Sequence, residues 1–179
     1  GFVLLRVLGA TILFWFLSIF LKNQKIHKKD WPRILLCSFL GMVINMLAFI
    51  KGLQLSTPIN SSVLITVVPI LVFSFSAILL KEKVSLMKIF GISAGFIGAL
   101  ILIIYSPLTG YNAPNIPLGN LLFVLNSSSY GLYLILVKPL VEKYNIITLF
   151  RWLFLFGFFM NFPFTINEFT HVEWSSLPI

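Results

Sequence analysis

Six apolar runs, each close to the length of a membrane-crossing helix, constrain this chain more than any other feature. They are Phe2–Leu21, Ile34–Ile50, Ile59–Leu80, Lys88–Tyr105, Leu118–Val137 and Ile147–Ile166. A bilayer core about 30 Å thick takes about 20 apolar residues of helix to cross. Backbone groups in hydrocarbon must be satisfied within the segment, so runs of this length become helices. A β-barrel would need segments of about ten alternating residues, and these runs do not alternate. Breaker chemistry separates them: Asp30-Trp31-Pro32 precedes the second run, Ser56-Thr57-Pro58 the third, and Ser106–Pro117 holds three prolines and a glycine. The residues are 59% hydrophobic and 10% charged, with mean hydropathy +1.01. A soluble domain of 179 residues cannot hide that much apolar surface. An ordinary soluble enzyme, a disordered chain and a nucleic-acid-binding domain are therefore excluded. The expected fold is an all-α, polytopic transmembrane helical bundle.

Orientation follows from the cations. The chain carries 13 Lys and Arg against 5 Asp and Glu, a net charge of +8. With six spans, the loops at 22–33, 81–87 and 138–146 share one side. They hold Lys22, Lys25, Lys28, Lys29, Arg33, Lys81, Lys83, Lys138 and Lys143, whereas Lys51 is the sole loop cation opposite. Cytoplasmic loops collect Lys and Arg, so these three loops are expected in the cytoplasm. The 22–33 cluster reads as a topology determinant ahead of a binding site for anionic lipid or nucleic acid.

Polar residues at membrane depth are the functional candidates. Asn126, Ser129, Tyr130 and Tyr133 share one face of the fifth run, a face that should meet another helix or line a wet cavity. The third run opens with Asn60-Ser61-Ser62, continues to Thr66 and carries Pro69 near its midpoint. Proline removes a donor and kinks a helix, and such breaks in transporters often mark the substrate site. Asn45, a lone amide in the second run, suits interhelical bonding or a ligand contact. Arg6 and Arg151 each lie about one turn inside a run, as snorkelling anchors or as weaker candidates for binding or gating. Gly91, Gly95 and Gly98 give the fourth run small-residue spacing suited to close helix packing.

Catalytic chemistry is missing from the pattern. No Asp or Glu lies inside the apolar cores, His27 and His171 lie outside them, and no metal-ligand cluster, P-loop or dinucleotide fingerprint occurs. No cofactor, no metal and no catalytic residue are expected. The single Cys37 excludes an intrachain disulfide.

The heptapeptide Phe2-Val3-Leu4-Leu5-Arg6-Val7-Leu8 resembles Ile147-Thr148-Leu149-Phe150-Arg151-Trp152-Leu153. The two copies would cross the membrane in opposite senses, as inverted transporter repeats do. The stretch from Lys51 to Leu64, then Pro69-Ile70, Leu80-Lys81-Glu82-Lys83, Gly91 and Gly98 resembles EamA-type members of the drug/metabolite transporter superfamily. Gly119-Asn120-Leu121-Leu122, Asn126, Tyr130 and Lys138 resemble the opening helix of that family's second repeat. The resemblance implies inverted five-helix repeats, here truncated to six transmembrane helices. Residues 1–105 would be the first repeat without its first helix, 106–117 the inter-repeat loop, and 118–179 the first two helices of the second repeat. A cut sequence would also explain a start at Gly1.

The implied function is a secondary transporter, a permease or exporter of the bacterial inner membrane. It would move small metabolites or amino acids by alternating access. Its expected partners are the lipid bilayer and a small-molecule substrate, with no nucleic acid, and homo-oligomerisation is left open. The expected pathway residues are Asn45, Ser62, Pro69, Asn126, Tyr130 and Tyr133, with Glu82 a helix-end residue and not a coupling acid. The rival readings are a non-transporting membrane scaffold and an intramembrane enzyme.

Overall fold

The computed structural model describes residues 2–20, 24–80, 85–105 and 113–170. Lys22, Lys81, Glu82, Lys83 and His171 lie outside the described residues, as does most of the loop expected at 106–117. Among the described residues every regular element is helical. In chain order these are α1 (Phe2–Ile19), a 3-10 turn (Lys28–Asp30), α2 (Trp31–Ser38), a π-helical stretch (Phe39–Ile44), α3 (Asn45–Leu55), α4 (Pro58–Ile65), α5 (Val68–Leu80), α6 (Leu86–Tyr105), α7 (Ile116–Lys143) and α8 (Ile146–Thr170).

Four helical runs among the described residues are long and apolar enough to cross a membrane: Lys28–Leu55, Pro58–Leu79, Ile116–Lys143 and Ile146–Ile166. The shorter apolar stretches Val3–Ile19 and Ile89–Gly98 lie in α1 and α6. The 18 residues of α1 rise about 27 Å, close to the hydrocarbon thickness. Three of the expected runs change most. The second run extends at both ends and contains a π-helical turn around buried Gly41. The third is two helices, because Pro69 has no N–H for the Ile65 carbonyl. The chain tightens just before it, with Thr66 and Val67 bonding the Val63 and Leu64 carbonyls at 3.1 and 3.2 Å. The fifth starts at Ile116, so the preceding loop ends at Asn115, whose side chain caps the helix by accepting from the Leu118 N–H at 3.1 Å. It runs on to Lys143, so the stretch expected as a loop at 138–146 is mostly helix, with only Tyr144 and Asn145 between α7 and α8.

The chain divides into two compact units, one of Gly1–Val43 with Val137–Ile179 and one of Ile44–Leu136. In the first, α1 and α8 pack along their length. Val3, Leu4, Val7 and Thr11 are buried on α1, and Leu149, Leu153, Gly157, Asn161 and Thr165 on α8. The α8 positions recur every four residues, one ridge of a helix. Phe14 meets Phe150 and Phe154 at 5.5 and 5.3 Å, while Val7 lies beside Gly157, so the two helices run antiparallel. Trp31 meets Trp152 and Phe156, and Met42 meets Gly157 and Asn161, so α2 runs parallel to α8.

In the second unit α3 and α7 are antiparallel: Asn45 meets Asn126 and Ser56 meets Asn120. The α4–α5 pair runs parallel to α7, through Leu64 with Ser127 and Val72 with Gly131. Within each unit these directions are those of a chain that alternates across a membrane with each successive span.

Candidate functional site

The second unit contains all six residues expected to line a pathway, Asn45, Ser62, Pro69, Asn126, Tyr130 and Tyr133. Asn45 Nδ2 donates to the Asn126 carbonyl at 3.3 Å, and Asn126 Nδ2 donates to the Asn45 carbonyl at 2.7 Å. Each amide therefore bonds the backbone of the facing helix, one of the two roles open to Asn45 and Asn126 in the sequence. Ser129 and Tyr133 are buried on the same side of α7 as Asn126. Tyr130 is 40% exposed at the margin of that face and stacks on Tyr133, ring centres 6.0 Å apart. Ser62 and Pro69 are both exposed, and the Ser62 hydroxyl donates within its own helix to the Pro58 carbonyl at 3.0 Å. Its neighbour Ser61 is the buried one. A step of one residue turns a helix by 100°, enough to exchange inside for outside.

A second polar cluster sits where the C-terminal end of α3 crosses the start of α7. Ser56 Oγ donates to Asn120 Oδ1 at 2.6 Å, and Asn60 Nδ2 donates to Ser56 Oγ at 3.3 Å. Thr57 caps α4, its hydroxyl accepting from the Asn60 N–H at 3.2 Å. All four side chains are buried, Asn120 completely. Close approach depends on two glycines. A Cβ on Gly119 would come within 2.7 Å of the Ser56 backbone nitrogen, and one on Gly52 within 2.7 Å of the Phe123 ring. In the sequence Ser56 and Thr57 read as breakers and, with Asn120, as parts of a family resemblance, not as a buried polar cluster. The available signal was that an amide inside an apolar helix needs a partner, the argument applied to Asn45.

Of the α6 glycines, Gly95 meets the Ile70 side chain, while among the described residues nothing lies within 4 Å of a Cβ position on Gly91 or Gly98.

Arg6 and Arg151 belong to the first unit and differ. Arg6 is exposed. Arg151 is 8% exposed and lies over the rings of Trp15 and Trp152 at 5.4 and 5.6 Å. A guanidinium over indole faces is held by the ring quadrupole, so Arg151 is packed inward instead of snorkelling. Asn161, which sequence reasoning passed over, is fully buried in α8 and donates to the Met42 and Gly157 carbonyls at 3.2 and 2.9 Å. Met42 belongs to the π-helical stretch, so this amide braces the widened turn. No group of three His, Cys, Asp or Glu that could hold a metal occurs among the described residues.

Polar groups are thus buried between apolar helices, and one span is broken ahead of Pro69. Residues 1–104 match the EamA-like transporter family. The chain belongs to that family. It is thus a multi-pass membrane protein, consistent with its apolar helices. Two curated relatives are similar over most of it. An uncharacterized transporter, YetK, of Bacillus subtilis is 24% identical over 173 residues, which is 96% of this chain and 52% of YetK. An uncharacterized transporter of Archaeoglobus fulgidus is 28% identical over 135 residues, 75% of this chain and 46% of the relative. The chain spans about half the length of these relatives. No solved structure matches it significantly.

Proposed function

We propose that this chain is part of a secondary transporter of the cell membrane that moves small metabolites or amino acids by alternating access. The observation that carries the reading is the break at Thr66–Val67, ahead of Pro69, in a span of the same unit as the polar face of α7. Discontinuous helices place backbone dipoles at mid-membrane, where transporters hold substrates. Within that unit the exposed residues Ser62, Pro69 and Tyr130 are the proposed substrate contacts, with Tyr133 fixing Tyr130 by stacking. Asn45 and Asn126 hold α3 against α7 and shape the pathway from behind. The family match and the two transporter-named relatives support the same reading.

Residues 1–105 and 118–179 would belong to successive repeats joined at 106–117. The loops at 22–33, 81–87 and 138–146 would face the cytoplasm. Support for two of them lies in the first unit, where Gln24, His27 and Asp30 bond Lys143, Tyr144 and Asn145 at one end.

The test is transport by the protein in liposomes, with labelled amino acids and small organic acids, amines and nucleosides as separate pools. Tyr130→Ala should lower flux several-fold while leaving thermal stability unchanged. Movement of no pool, or loss of flux only in step with loss of stability, would favour a scaffold role.

A further inference from the structure

One end of the first unit carries a set of cations that the transport reading does not use. The segment 24–30 is fastened to the turn at 143–145. Gln24 Oε1 accepts from the Asn145 N–H at 2.8 Å, and the His27 N–H donates to Tyr144 Oη at 3.0 Å. Asp30 Oδ2 receives both the Lys143 ammonium and the Tyr144 hydroxyl at 2.5 Å. Lys143 and Asp30 thereby neutralise one another. Lys25, Lys28, Lys29 and Arg33 are displayed around this joint with Lys138 one to two turns along α7, and all five are exposed. Glu142 is an exposed carboxylate at this end.

The aromatic residues beneath give the depth. Trp31 packs edge-on against Trp152 at 5.0 Å, and Trp15 meets Trp152 at 5.5 Å. Indoles gather where hydrocarbon meets headgroups. Cations just beyond an indole layer, at the ends of spanning helices, stand at the level of lipid phosphates.

We propose that this end of the first unit is a docking surface for anionic phospholipid headgroups, held in shape by the Asp30–Lys143–Tyr144 joint. The partner is a membrane lipid with net negative charge, recognised through its phosphate by several exposed cations. The joint contributes by tying the 24–30 segment to the end of α7, so that the cations on both are presented together.

The test measures quenching of indole fluorescence by brominated lipids. The protein carries Trp174→Phe, which leaves Trp15, Trp31 and Trp152 as reporters, in vesicles of phosphatidylcholine with varied phosphatidylglycerol. Brominated phosphatidylglycerol should quench more strongly than brominated phosphatidylcholine at equal bulk fraction. A cation at a lipid surface is worth about 1 kcal/mol, so each one removed should cost about fivefold in that preference. The variant K28Q/K29Q/R33Q should therefore lose most of it, while Lys51→Gln, in the other unit, should keep it. For the unaltered chain the preference should shrink as the Debye length falls from about 10 Å at 0.1 M salt to about 3 Å at 1 M. A preference that survives the triple substitution or molar salt overturns the proposal, as does equal loss in Lys51→Gln. Displacement of the quenching lipid by millimolar inorganic phosphate overturns it too, since the surface would then take the free ion. Transport need not be intact for any of these readings, so failure here and failure of the transporter reading are distinguishable.

Discussion

In the unit of Gly1–Val43 and Val137–Ile179, the buried cation Arg151 lies over two indoles and the packing around it is aromatic. In the unit of Ile44–Leu136, the buried polar groups are neutral amides and hydroxyls that bond one another or a facing carbonyl. Both solve the same problem, since a polar group in an apolar bundle costs several kcal/mol if left unmatched. The difference lies in what the solution demands of the backbone. An amide bond across helices needs them close; the second unit relies on such bonds and obtains that closeness from Gly52 and Gly119, whereas the first uses the device once, at Gly157, where Asn161 reaches the Met42 carbonyl.

This contrast breaks first at the glycines. A Cβ on Gly119 would strike the backbone of Ser56 and Gly52, so Gly119→Ala should destabilise the protein by about 3 kcal/mol, read as a loss of unfolding free energy in detergent. Gly157→Ala in the first unit meets the Met42 side chain at 2.8 Å, which can yield in part, and should cost about 1–2 kcal/mol. Equal costs would remove the distinction between the units.

Next is the buried cation. Arg151→Lys keeps the charge but loses the planar stacking on Trp15 and Trp152, an expected loss of about 1 kcal/mol visible also as altered near-ultraviolet circular dichroism. A silent Arg151→Lys would mean that charge alone matters there. Smallest is the reciprocal amide pair. Each side chain bonds the other's backbone carbonyl, so Asn45→Ala and Asn126→Ala should each cost about 0.6 kcal/mol, typical of polar bonds between membrane helices. The double variant should be additive within about 0.5 kcal/mol, because neither substitution removes the other's acceptor. Strong coupling would show that the two amides act as a single network.

The helices were legible because each is a one-dimensional run. Ile147–Ile166 falls inside the observed α8, and the Ser56-Thr57-Pro58 signal does start a helix, with Thr57 as cap and Pro58 in the first turn. The site was legible only in part. Asn126 and Tyr133 lie on a buried face as their spacing implied, but Tyr130 lies at its edge and Ser62 outside it. Arg6 and Arg151 occupy matching places in similar heptapeptides, yet one is exposed and the other buried. Their local sequences differ at the residue that follows, Val7 against Trp152, and only the latter can offer an aromatic face to the guanidinium.

By itself the sequence determined the number and placement of the apolar helices, the break before Pro69 and the crowding of cations into particular loops. Bilayer thickness, the missing proline donor and charge hydration act on segments one at a time, so a linear reading captures them. Tertiary structure alone decided which amide meets which carbonyl, which of Ser61 and Ser62 faces inward, and that Arg151 packs between indoles. Lipid is as apolar as a helix interface, so a membrane helix that is apolar all round carries no strong signal of its rotation. That rotation is set by contacts with neighbours distant in the chain, such as Gly119 against Ser56 and Gly157 against Met42.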